Sequence, residues 1–192
     1  MLRDGSAAPA AVRIIDRVVV RRQIDPRRLG WIDQRRATAR RGLPENGQYV
    51  DLRGFQRCDL VAVLEEERAG YAELAAAGYS QQAIDRLDAR QRQAAIVRIV
   101  DFGIAAAVVA LSALGCVPVS SCRGNSLGAR RHEHPAPMVT FYARRIHLAA
   151  LGDAVQRADI SIVNNAAKLE AYADDLRKMH AFAEALLPHI KA

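Results

Sequence analysis

At 192 residues the chain has room for one well-cored domain, with about 40 to 60 residues left for an arm or a second small unit. Its hydrophobic content of 51% is ordinary for a globule, and the longest apolar run, residues 102–114, is too short for a bilayer-crossing helix and fits a core helix. The net charge of +7 is uneven: residues 1–57 hold 13 arginines against 6 acidic residues, whereas residues 58–192 are balanced at 15 of each.

That asymmetry points to an anionic partner for the N-terminal third, nucleic acid or nucleotide first and an acidic protein surface second. The alternative is a solvated basic face in an arginine-rich chain, since only 3 lysines stand beside 25 arginines. Met1 to Ala11 carry one basic residue and no apolar h-region, so no signal peptide is expected. Three cysteines, Cys58, Cys116 and Cys122, make no disulfide framework and suit a reducing cytoplasm.

Residues 1–10 read as disordered. The β-branched run in 12–23 predicts a strand. Asp25-Pro26 is a helix start, with Asp25 as cap and Pro26 in the first turn, and the predicted helix runs to about residue 41, ending at Gly42. It would carry Arg28, Arg35, Arg36, Arg40 and Arg41 as nucleic-acid contacts, with Trp31 anchoring it to the core. Residues 43–51 form a loop around Asn46-Gly47. Residues 58–77 form an amphipathic helix with Leu60, Val63, Leu64 and Leu74 on its dry stripe and Glu65, Glu66 and Glu67 on its wet side. Gly78 stops it. One long helix is expected from Ser80 to Gly115, polar at first and apolar on nearly all sides from Ala94, so its second half enters the core.

Short strands then alternate with helices: strand 117–121, a polar loop 122–136, strand 137–143, helix 146–158, strand 159–164, a turn at 164–167, strand 168–173, and a last helix capped by Asp174. Leu176, Met179, Phe182 and Leu186 mark its buried side. The order β-β-α-β-β-α predicts an α+β fold, a mostly antiparallel sheet packed by a long central helix. The expected division is an Arg-rich extension, 1–57, and an α+β core, 58–192.

The candidate site lies where the apolar helix and strand give way to Ser120-Ser121-Cys122-Arg123-Gly124-Asn125. Polar and thiol groups at the end of a core strand are costly to place without a use. Gly124 permits a sharp turn whose successive N–H groups suit an anion, and Arg123 supports that. Arg130, Arg131, His132, Glu133 and His134 follow in the same long loop, and loops of that length are more often functional than passive. Ser120, Ser121, Arg123, Gly124 and Asn125 are the expected ligand-binding residues. Cys122, His132 and His134 are the expected catalytic group, with Arg123 and a histidine lowering the thiol pKa. The same thiol and hydroxyls also suit plain hydrogen bonding to a ligand.

Zinc is a candidate through Cys122, His132 and His134, with Cys116 as a fourth ligand, although C-x5-C-x9-H-x-H matches no established zinc spacing and no metal ligand is assigned. Cys58 and Cys116 read as structural, and His147, His180 and His189 as surface or structural. The P-loop, the dinucleotide fingerprint, H-E-x-x-H, G-x-S-x-G and the zinc deaminase signature are all absent.

Asp101, the helix to Leu114 and the Ser-Ser-Cys-x-Gly loop at 120–124 stand in an order that resembles the wybutosine-synthesis methyltransferase family, whose members act late in building the hypermodified guanosine of phenylalanine tRNA. The resemblance covers roughly residues 95–188. Arg123 and Asn125 depart from that family's Ser-Ser-Cys-Ser-Gly-Arg. The resemblance implies tRNA modification, and S-adenosylmethionine is implied by the resemblance alone.

The leading expectation is therefore a cytoplasmic nucleic-acid- or nucleotide-binding protein, acting on RNA through the 120–134 loop. The alternatives are a non-catalytic subunit of a larger protein assembly and a zinc-stapled binding module. No membrane partner is expected, and the residues leave open whether the site is catalytic.

Overall fold

A computed structural model describes residues 12–16, 18–32, 54–93, 100–128, 132 and 134–191. Five strands form one sheet in the order β1-β4-β5-β3-β2, where β1 is Arg22–Gln23, β2 Val117–Cys122, β3 Met138–Tyr142, β4 Ser161–Asn165 and β5 Lys168–Tyr172. Only the β1–β4 pair is parallel. Five α-helices are described: α1 Arg57–Ala76, α2 Gln81–Gln93, α3 Ala105–Ala113, α4 Leu148–Arg157 and α5 Leu176–Leu186. The fold is α+β with a mostly antiparallel sheet, and β2-β3-α4-β4-β5-α5 follow α3 in the expected order.

The apolar stretch behind β2 settles its own place. All residues of α3 from Ala105 to Ser112 are buried, as a helix with no polar face must be. It packs against α1, α5 and β2. Phe141, Val139, Leu169 and Ile162 of the sheet share one core cluster with Phe102, Leu60 and Phe182 from the helical layer. Each such side chain contributes about 1.5–3 kcal/mol by leaving water.

The long helix expected from 80 to 115 is interrupted. Ser80 Oγ caps α2 by accepting from Ala83 N, but Val100 to Ile104 leave helical geometry before α3 begins. Gly103 adopts φ +85°, and a Cβ there would meet Leu176 Cδ2 at 2.6 Å. The break leaves Asp101 just ahead of α3. Residues 94–99 lie outside the described residues.

Glu67 corrects the expected wet side of α1. It is buried, its Oε1 accepts from Ala106 N at 3.0 Å, and its Oε2 lies 2.9 Å from His180 Nδ1. A carboxylate at the start of α3 satisfies an orphan N–H and the positive end of the helix dipole. His180 and His147 are structural, as expected, whereas Cys58 is exposed on the first turn of α1. Asp175, rather than Asp174, caps α5, accepting from Arg177 N.

The described part of the N-terminal segment, within residues 12–32, is a strap over the sheet, not a long strand and the first turns of an α-helix. Arg13 N donates to Ser126 O, Ile15 N to Asp174 O, and among the described residues of this segment only Arg22–Gln23 pair as a strand. Asp25 caps as expected, but it caps only a single 3-10 turn, Pro26–Arg28, with Leu29 back in extended geometry. Gly30 N then donates to Ala167 O, Ile32 packs on Val119, and the Arg144 guanidinium lies 4.0 Å over the Trp31 ring. The expected loop at 43–51 and the end of the expected helix lie outside the described residues, as do residues 1–10. Among the described residues no helix is long and apolar enough to cross a membrane.

Candidate functional site

Cys122 ends β2, paired with Met138 of β3, which is in turn paired with Tyr172 of β5. Cross-strand partners share a face, so Cys122, Met138 and Tyr172 form one row. Ser120, Thr140, Glu170 and Val163 form the next row on that face. It is the face opposite the helices, bordered by the strap.

Beyond β2 the loop folds on itself. Gly124 takes φ +65°, and a Cβ on it would sit 2.5 Å from Ala136 C and 2.6 Å from Pro135 O. Asn125 N donates to Pro135 O at 2.8 Å, and Asn125 Oδ1 accepts from His132 N at 2.9 Å. These bonds bring His132 back over Cys122, with Cys122 Sγ 3.4 Å from His132 Nδ1. Asp101 completes the group. Its Oδ2 accepts from Arg123 N at 3.4 Å and lies 3.8 Å from the same His132 nitrogen.

The structure thus unites two of the three expected catalytic residues, Cys122 and His132. His134 is exposed and touches Cys122 only through its backbone N–H. The expected lowering of the thiol pKa is overturned: burial, chiefly, pushes the Cys122 thiol up.

The expected anion cradle is overturned as well, because its donors are already used. Arg123 N goes to Asp101, Gly124 N to Cys122 Sγ at 3.3 Å, and Asn125 N to Pro135 O. The Arg123 side chain, only 2% exposed, gives both terminal nitrogens to Asp88 of α2 at 2.5 and 2.7 Å. It anchors the loop to α2 and is not presented to a ligand. Ser120 and Ser121 are half-buried in β2 on opposite faces, Ser120 beside Thr140 and Ser121 paired with Val139. Cys116 lies elsewhere, with its Sγ 3.4 Å from His147 Nδ1, and so does not join Cys122. Arg130, Arg131 and Glu133 lie outside the described residues.

Asp101 and Asp88 are the additions to the site. Asp101 stood out in the sequence only through a family resemblance. No local pattern links Asp88 to Arg123, 35 residues on.

A second feature lies on the same sheet face. Arg21, Arg22, Arg28, Asn164, Glu170 and Tyr172 line a groove of about 720 Å³ between the strap and strands β4 and β5. Arg22 is held by Asp159 and Ile160 O. The Arg21 and Arg28 side chains are exposed and make no ion pair among the described residues. Arg35, Arg36, Arg40 and Arg41 lie outside the described residues.

S-adenosylmethionine does not fit the loop that the resemblance nominated. The turn at Gly124 is filled by the chain's own backbone at Pro135 and Ala136, and Arg123 is committed to Asp88. No methyl-transfer step is assigned to it. No family model, no curated protein and no solved structure matches this chain.

Proposed function

We propose that the chain is a cytoplasmic nucleic-acid- or nucleotide-binding protein that holds its ligand across the strapped face of the sheet and acts on RNA. The observation that carries this reading is the shared row. Tyr172 lines the arginine groove and stands on the same cross-strand row as Cys122, two strands or about 10 Å away. A phosphate backbone in the groove would bring the adjoining base towards the Asp101, Cys122 and His132 group. Arginines with no ion pair among the described residues, beside the half-buried Tyr172 ring, suit single-stranded nucleic acid, which basic grooves hold together with aromatic side chains. The concentration of the whole net charge in residues 1–57 supports the same reading, and so does the resemblance to a tRNA-modifying family.

The test is fluorescence anisotropy with a labelled single-stranded RNA over a salt series. Wild-type affinity falls with salt. The double variant Arg21→Ala/Arg28→Ala weakens binding at low salt and reduces the log–log slope by about 1.4, two phosphate contacts at roughly 0.7 each. Absence of affinity for RNA, DNA and nucleotides at low salt defeats the proposal.

That result would favour a second reading, a subunit of a larger protein assembly. Its support is exposed apolar surface: Ile14 and Val19 on the strap are each 62% exposed, and Ile146 is 78% exposed.

A further inference from the structure

Asp101, Cys122 and His132 come from three separate stretches: the head of α3, the end of β2 and the return of the loop. One donor atom from each lies within 4.8 Å of the other two. The thiol and the carboxylate both approach the same imidazole nitrogen, at 3.4 and 3.8 Å. A nucleophile–base–orienter relay needs them on opposite ring nitrogens, so that one holds the ring while the other exchanges its proton. A single ring nitrogen bonds one such neighbour at a time. A cation at the common centre bonds all three.

The spacing agrees with that. Sulfur at about 2.3 Å and nitrogen at about 2.0 Å from a tetrahedral zinc stand about 3.5 Å apart, and the Cys122–His132 separation is 3.4 Å.

The surroundings are those of ligands held in place. Backbone N–H groups of Gly124 and His134 point at Cys122 Sγ, and Arg123 N–H points at the Asp101 carboxylate. Such outer hydrogen bonds orient metal ligands and stabilise their charge. Cys122 is buried and the His132 side chain is 12% exposed, while the Asp101 side chain is 41% exposed, so the group is closed on two sides and accessible from the third. A thiolate and an imidazole select a borderline-soft ion over magnesium or calcium.

We propose that Asp101, Cys122 and His132 form a three-ligand site for a divalent cation of the zinc class, approached by solvent or substrate from the Asp101 side. The site is independent of the nucleic-acid reading, because metal binding is measured with the metal alone.

The experiment is a cobalt(II) titration of metal-stripped full-length protein in a Cys58→Ser background, which removes the exposed thiol. The expected result is one cobalt per chain, a thiolate-to-cobalt charge-transfer band, and displacement of that band by zinc. Cys122→Ser abolishes the band. Asp101→Asn and His132→Ala keep the thiolate and weaken binding at least about 10-fold, with unchanged far-UV circular dichroism showing that the fold persists. Cys116→Ser leaves the titration as it was. A wild-type chain with no charge-transfer band overturns the site, as does a band that survives Cys122→Ser. So does unchanged affinity in a folded Asp101→Asn protein, which keeps the test decisive should Cys122→Ser not fold.

Discussion

Asp88→Ala lowers the free energy of unfolding by about 3–5 kcal/mol, the cost of leaving one member of a buried ion pair without the other. Arg123 has no way to escape that cost. Its guanidinium does not lose its proton at any accessible pH, it is 2% exposed, and both of its terminal nitrogens are spent on the Asp88 carboxylate. Asp88→Asn keeps an acceptor in place and loses less. The double variant Asp88→Leu/Arg123→Met removes both charges and recovers much of the loss, since an apolar pair of similar volume is often as good as a buried salt bridge. Urea denaturation of the four proteins measures this ordering. A loss below about 1 kcal/mol for Asp88→Ala, the range of solvent-exposed pairs, shows that Arg123 is solvated and does not tie the loop to α2.

Gly124→Ala is expected to cost about 2–3 kcal/mol and to loosen the site as well. Left-handed geometry alone costs a residue with a Cβ about 1–2 kcal/mol. The added carbon also lands 2.5 Å from Ala136 C and 2.6 Å from Pro135 O, backbone atoms that cannot swing aside as a flexible side chain would. Relief requires the 123–126 turn to move away from 135–136. That pulls the Gly124 N–H off Cys122 and Asn125 off Pro135, and His132 follows Asn125. Gly152→Ala is the matched control. Gly152 lies within α4 with nothing within 4 Å of its added Cβ, so alanine there is neutral or stabilises by up to about 1 kcal/mol. Thermal melts of the two variants should therefore diverge in sign. If Gly124→Ala melts no lower than Gly152→Ala, the loop is not held against 135–136 as described.

These two sites show where the sequence speaks and where it does not. Local periodicity made the chain from α1 onward legible in large part. The β-β-α-β-β-α order, the dry stripe of α1 at Leu60, Val63, Leu64 and Leu74, and the buried side of α5 all appear as patterns within a single element, and the structure has them. The errors arise where a long-range contact overrides local preference.

Glu67 stands in an acidic run that reads as solvated, yet it is drawn inward by the α3 N-terminus and His180, partners 39 and 113 residues away. The single helix expected over 80–115 carries no proline, and it is interrupted where Gly103, at φ +85°, packs closely on Leu176, which periodicity does not register. Asp25-Pro26 is a sound helix start in isolation, but the chain after Arg28 is drawn out straight by Gly30 bonding to Ala167 and Ile32 seating on Val119.

The site obeys the same rule. Cys122, at the end of β2, and His132, in the loop that follows, lie ten residues apart and were legible together. Arg123 looks like an anion ligand beside a glycine until Asp88 is seen to hold it. The arginine groove was legible only as net charge, because strap pairing decides which arginines reach the sheet face.

The ligand is proposed to lie along the strapped face, from the groove towards Cys122. Photo-crosslinking of a single-stranded RNA carrying 4-thiouridine, with peptide mapping of the adducts, tests this placement most directly. The expected crosslinks fall on Tyr172 and the 21–28 segment, with others at Cys122 and the 132–138 return, all removed by an excess of unlabelled RNA. Crosslinks confined to the helix-covered side, on α1, α2 or α5, would contradict the placement.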